Sequence, residues 1–232
     1  MIALIAGLLL CFTQAAPPAD FELYYLAFLR PEPARKPISK EETGRIQAAH
    51  MANIQSMAKR GVLVAAGPFD DPDHAILGVF VLKTASLDEA RRIAAEDPTV
   101  VEHRNQVDVH AWRGSAGIGA EYFRLHKEKP DTPEGMGVQP LGLLYRGAAW
   151  DQHPEIWSAH GDYLSRLRRE GKLAAAGRIE GDEDLVGVEV FARIPDEEAR
   201  RLLENDPAVK AGSLRLEYHR WWCAEHVLPG GK

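Results

Sequence analysis

Apolar and polar positions follow two rhythms along this chain, and the same order of rhythms occurs twice. Residues 21–29 are aromatic and aliphatic on both faces of an extended segment, which predicts a strand covered on both sides. Ser39-Lys40-Glu41-Glu42 has the capping-box pattern, and Ile46, Ala49, Ile54 and Met57 follow at helical spacing, so a helix runs to about Arg60, where Gly61 ends it. Strands are expected over 62–66 and 75–82, joined by a turn rich in Asp and Pro between Pro68 and Asp73. Ser86-Leu87-Asp88-Glu89 opens a second helix that Asp97-Pro98 stops, and 107–112 is the last strand. The same order, strand, helix, strand, strand, helix, strand, returns over 141–145, 154–170, 173–176, 186–192, 196–204 and 214–222.

The repeat is visible residue by residue. His50, Gly61 and Ala65-Ala66-Gly67 recur 110 positions later as His160, Gly171 and Ala175-Ala176-Gly177. Gly78, Ala90, Asp97-Pro98 and Trp112 recur 109 positions later as Gly187, Ala199, Asp206-Pro207 and Trp221, so one residue is missing from a turn of the second copy. Each copy has the size of a domain that buries its own core, which makes this a duplicated domain rather than a solenoid. The element order is ferredoxin-like: an antiparallel four-stranded sheet with two helices on one face. A single such unit leaves the other sheet face open, and an apolar open face needs a partner. The expected α+β architecture is therefore two βαββαβ units, 20–113 and 138–224, packed sheet to sheet within one chain. Residues 114–137 link them, Gly-rich at both ends, with a short helix expected over 121–128.

Composition changes this picture little. The net charge is -6 and the basic residues form no run, which argues against nucleic acid or an anionic membrane as partner. Residues 1–12 are almost unbroken apolar, too short to span a bilayer, and small residues and Pro17-Pro18 follow. This reads as a signal peptide over 1–16, so the mature protein is expected to be periplasmic or secreted and off the membrane. No Lys or Arg precedes the run. A misplaced start, an N-terminal strand, or a lipoprotein anchored at Cys11 are the alternatives.

The chemistry candidates are polar residues that both copies keep. His50 and His160 fall on or beside the sheet-facing side of the long helices, and Asp97 and Asp206 close the second helices. His and Asp can then meet above the sheet, Asp fixing the tautomer and the other imidazole nitrogen serving as general base or acid. The same pair serves equally well as a satisfied structural link. A pocket beside His50 lined by Tyr25, Phe69 or Trp112 would favour catalysis. The His spacings give no metal-ligand pattern, and neither a metal nor a cofactor is expected. Cys223, beside two Trp, reads as a small apolar strand-end residue.

His50, Gly61, Ala65-Ala66-Gly67-Pro68 with Asp70, Ser86 to Ala90, Asp97-Pro98 and Trp112 together resemble the YCII-related domain family. The resemblance covers 21–113 closely and 138–223 more loosely. It implies the dimeric α+β barrel form of the ferredoxin-like fold, here as a fused pseudo-dimer. It also implies a His-Asp active site, carried over to His50 with Asp97 and to His160 with Asp206. One similar member removes chloride from a hydroxylated aromatic ring. A cofactor-free lyase or isomerase acting on a small molecule follows as one reading, and a non-catalytic binding or scaffold protein of the periplasm as the other. A haem reading by fold analogy comes third, since no axial ligand is placed for it. The second copy departs from the pattern with Arg178 in place of Pro68 and Glu180 in place of Asp70. Arg178 is a candidate binding residue, expected to hold the His160 pKa down and to leave the first site as the preferred one.

Overall fold

The computed structural model describes residues 20–70, 75–133, 135–181 and 184–229. The expected signal peptide and Cys11 lie outside the described residues. In the first repeat β1 (Phe21–Pro31), α1 (Lys40–Lys59), β2 (Leu63–Pro68), β3 (Gly78–Leu82), α2 (Leu87–Ala95), α3 (Pro98–Val101) and β4 (Asn105–Ser115) follow in order. After α4 (Ala120–Glu128) the second repeat supplies β5 (Met136–Arg146), α5 (Ile156–Arg169), β6 (Leu173–Glu180), β7 (Leu185–Phe191), α6 (Asp196–Glu204), α7 (Pro207–Lys210) and β8 (Leu214–Ala224).

The local signals act as their chemistry requires. Ser39 accepts the amide of Glu42 at 3.1 Å, and Ser86 that of Glu89 at 3.1 Å, while Glu89 reaches back to the Ala85 amide at 3.0 Å. Gly61 and Gly171 end the long helices at φ of 70°. One boundary differs from expectation. The second helix stops at Ala95, and Asp97-Pro98 begins α3 instead of closing α2. Asp at the N-cap and Pro at the first helical position are the favoured start of a helix, so the motif that halts one helix nucleates the next. Asp206-Pro207 does the same for α7.

All eight strands form one sheet in the order β2-β3-β1-β4-β6-β7-β5-β8. Each half has the ferredoxin-like order, and every pairing is antiparallel. The halves meet edge to edge where β4 pairs with β6, Trp112 opposite Ile179. The matching seam on the other side is thinner. There Phe69 bridges Trp221, the repeat mates of Ile179 and Trp112, and the Asp70 amide donates to the Arg220 carbonyl at 2.8 Å. Pro68 stands at the mate of Arg178 and has no N–H to give, which interrupts the ladder.

Closing the sheet turns the two open faces inward. Tyr24, Leu26, Phe28, Trp112, Leu141, Leu143 and Trp221 share one core inside the barrel. The alternate residues Tyr25, Ala27 and Leu29 pack under the helices with Met57 and Ile93, so β1 is apolar on both faces because both are covered. Gly67 and Gly177 make the seams: a Cβ on Gly67 would strike the Trp222 carbonyl, and one on Gly177 the Arg113 carbonyl. Helix α4 closes one end of the barrel, its Gly119 amide bonded to the Val227 carbonyl at 2.7 Å. No helix among the described residues is long and apolar enough to cross a membrane.

Candidate functional site

His50 projects from α1 toward the start of α3. Its Nδ1 lies 2.8 Å and 3.0 Å from the two carboxylate oxygens of Asp97. Asp97 also accepts from the Thr99 amide at 3.0 Å, the Thr99 hydroxyl at 2.6 Å and the Asn53 amide at 3.1 Å. It is fully buried. Burial works against its charge, yet the bonds from His50, Thr99 and Asn53 hold its carboxyl below the ordinary Asp value. A carboxylate only accepts, so Nδ1 carries the proton and Nε2 is the basic nitrogen. The imidazole stacks on Phe80, ring centroids 5.9 Å apart.

Beside His50 opens a cleft of about 490 Å³, walled by Met51, Ile54, Leu63 and Phe80 from the first repeat and by Tyr122 and Phe123 of α4. Tyr25, Phe69 and Trp112 do not line it. Phe69 and Trp112 point into the barrel, on the sheet face opposite α1, where Phe69 stacks on His219 and Trp112 meets Tyr24. Tyr25 does face the helices, but its register partners are Leu82 and Ala111, and Glu180 and Arg113 at the β4–β6 seam act on its hydroxyl. Strand alternation decides each case. The aromatics that do wall the cleft come from β3 and from α4, in the expected linker.

The second pair has the same core and different surroundings. His160 Nδ1 lies 2.8 Å from Asp206, which also accepts the Ala208 amide at 2.7 Å. The other donors are gone: Ala208 stands where the first repeat has Thr99, and Tyr163, the mate of Asn53, gives its hydroxyl to the Leu202 carbonyl instead. The mate of Phe80 is Glu189, buried to 2% exposure, and among the described residues neither carboxylate oxygen has a hydrogen-bond partner. Burial first, and Asp206 second, push the Glu189 pKa up to about 8, with His160 opposing.

The second cleft, about 650 Å³, holds His160 and Glu189 between Trp150, Trp157 and Arg178. Arg178 therefore does line a cavity, but it does not lower the His160 pKa. Burial would lower it, yet Asp206 and Glu189 prevail and raise it. Arg178 turns instead toward Glu180, 3.6 Å away, which Arg113 also grips. Glu189 was not among the residues singled out from sequence. The available signal was the repeat itself, which sets a Glu against a Phe within a core strand.

The YCII-related domain model matches residues 23–113 and again 120–221. No curated protein matches the chain. Among solved structures, a variant chlorite dismutase from Candidatus Nitrospira defluvii is similar at a TM-score of 0.54 and 10% identity, over 86% of this chain and 90% of that one. A heme-binding protein from Thermus thermophilus aligns at a TM-score of 0.49 and 13% identity, over 90% and 92%. At 10% identity the likeness to the chlorite dismutase speaks for the fold alone.

Proposed function

The chain belongs to the YCII-related domain family, and on that premise we propose that it is an enzyme acting on a small organic molecule by proton transfer at His50. One observation carries this reading: an imidazole whose Nδ1 is held by a buried carboxylate lines an open, largely apolar cleft. Asp97 fixes the tautomer and stabilises the imidazolium as it forms. Nε2 takes a proton from a substrate carbon. The electron pair left behind expels a leaving group from the neighbouring carbon, in a lyase, or shifts a double bond and is reprotonated there by the imidazolium, in an isomerase. Neither sequence consumes an oxidant or reductant, and neither needs a cofactor at this site. The apolar walls and the Phe80 face suit a flat, aromatic or lactone-like molecule. A screen of such compounds for proton exchange or elimination tests it, with His50→Ala as the control that must lose turnover.

The second reading, a non-catalytic binding or scaffold protein, draws on the bonds that His50 and Asn53 of α1 make to Asp97, the N-cap of α3, which tie the two helices together whatever the chemistry. It predicts that no compound in such a screen is turned over. For location we propose export, motivated by the apolar run 1–12. Mature protein from its host should then begin near Ala16 or Pro17, and an intact Met1 on cytoplasmic protein would refute it.

A further inference from the structure

We propose that His160, Glu189 and Asp206 form a divalent transition-metal site that the first repeat lacks. One donor atom from each lies within 4.8 Å of the others. The three come from separate elements, α5, β7 and the N-cap of α7, so the fold rather than sequence proximity assembles them.

The first repeat is an internal control for what this place in the fold needs. There, one carboxylate accepts four hydrogen bonds, and a phenylalanine fills the space beside the imidazole. The second repeat has lost two kinds of donor, Thr99 giving way to Ala208 and Asn53 to Tyr163, and has gained a carboxylate in place of the phenyl ring. Acceptors have multiplied while donors have gone. A buried carboxylate without a partner is expensive, and each such group calls for a specific explanation. The arginines that line the cleft engage other partners: Arg113 and Arg178 pair with Glu180, and Arg168 donates to Ser115 at 2.9 Å.

A divalent cation fits the deficit. Once metal binding has displaced the proton of Glu189, two carboxylates and a neutral imidazole carry two negative charges, and one ion gives all of them a partner at once. One nitrogen and two oxygens suit zinc, manganese or iron(II), whereas calcium and magnesium prefer all-oxygen sets. His160 and Glu189 belong to the wall of the second cleft, which gives an ion a route to the buried carboxylates. Three protein ligands leave a fourth position for water or another ligand. For His160 Nδ1 to ligate, the proton it shares with Asp206 must leave as the metal binds, the neutral imidazole then keeping its proton on Nε2. The 2.8 Å contact then widens to roughly 3.3 Å for two ligands of one zinc ion, given bonds of about 2.0–2.2 Å.

This inference does not rest on proton transfer at His50, and its test keeps the two apart. Full-length protein stripped with chelator is titrated calorimetrically with zinc chloride and separately with magnesium chloride, and the cobalt(II) spectrum is recorded. The expected result is one strong zinc site per chain and none for magnesium. Glu189→Gln and Glu189→Phe should weaken that site by roughly 100-fold or more, beyond the 10- to 100-fold typical of outer partners. Glu189→Phe reproduces the packing of the first repeat, so its melting temperature should hold or rise, and loss of metal cannot then be ascribed to unfolding. His50→Ala should bind zinc as the parent does. Absence of a stoichiometric site, Glu189 variants that bind like the parent, or a site lost with His50→Ala would each overturn the proposal.

Discussion

Removing the His50 side chain leaves Asp97 with Asn53 and both donors of Thr99, so the carboxylate stays largely satisfied. His50→Ala is therefore expected to fold, at a cost of about 1–3 kcal/mol for the lost partner, while turnover falls on the order of 100- to 10,000-fold. Melting curves and rates measured on the same variant separate structural from chemical loss; an unchanged rate would remove His50 from the mechanism. Asp97 also sets an acid limit. Its folded pKa lies below the ordinary value of 3.8. The folded state thus binds fewer protons than the unfolded chain in that range. The stabilisation is fully present above the unfolded pKa and is lost as pH falls through the folded one. Asp97→Asn should flatten the fall of stability below about pH 4, as acid-unfolding curves of parent and variant would show. An unchanged slope would mean that other carboxylates govern acid unfolding.

Elements meet in this fold through glycines that serve close approach rather than turns. Gly177→Ala places a methyl group against the Arg113 carbonyl, and Gly67→Ala one against that of Trp222; neither backbone can step aside as a side chain could. Each should destabilise by about 1–3 kcal/mol or more, the range for forced overpacking. Gly44, inside α1, is the contrast, because a Cβ there meets nothing within 4 Å. Gly44→Ala should stabilise by roughly 0.5–1 kcal/mol through helix propensity alone. Denaturant midpoints of the three variants check the pair of claims, and equal effects at Gly44 and Gly177 would contradict the seam geometry. The β4–β6 seam, with its longer ladder, should also protect its amides from hydrogen exchange better than the β2–β8 seam, which Pro68 interrupts.

At the scale of the whole molecule, the two repeats cannot be separated without exposing the barrel interior. Trp112 and Trp221 are both 2% exposed inside one shared core. Residues 20–134 produced alone should not yield a stable folded monomer; they should self-associate or need the second half for solubility, which sedimentation would reveal. A monodisperse folded monomer of that half would show the interior to be dispensable. The duplication also frees the two clefts to diverge, since one barrel carries both. The first keeps a well-bonded His-Asp pair beside Phe80, and the second sets the same pair against Glu189.

The amino-acid sequence by itself determined the duplication, the order of elements, the caps and the need for a partner across the open sheet face. All of these are local or periodic properties, written in spacing and in turn chemistry. It also singled out His50, Asp97, His160 and Asp206, because two copies of a domain reveal which polar residues persist. Tertiary structure alone decided the rest. Tyr25, Phe69 and Trp112 are aromatic residues that the sequence offers for a pocket beside His50, but strand alternation and barrel closure send Phe69 and Trp112 to the far face and Tyr25 to a seam. The aromatics that wall the first cleft include Tyr122 and Phe123, which reach it only because α4 folds back across the barrel end. The pKa of His160 follows from what lies beside it in space, Asp206 and Glu189, rather than from Arg178, whose nearest partner is Glu180. Periodicity shows which face a residue takes; only packing in three dimensions shows what that face meets.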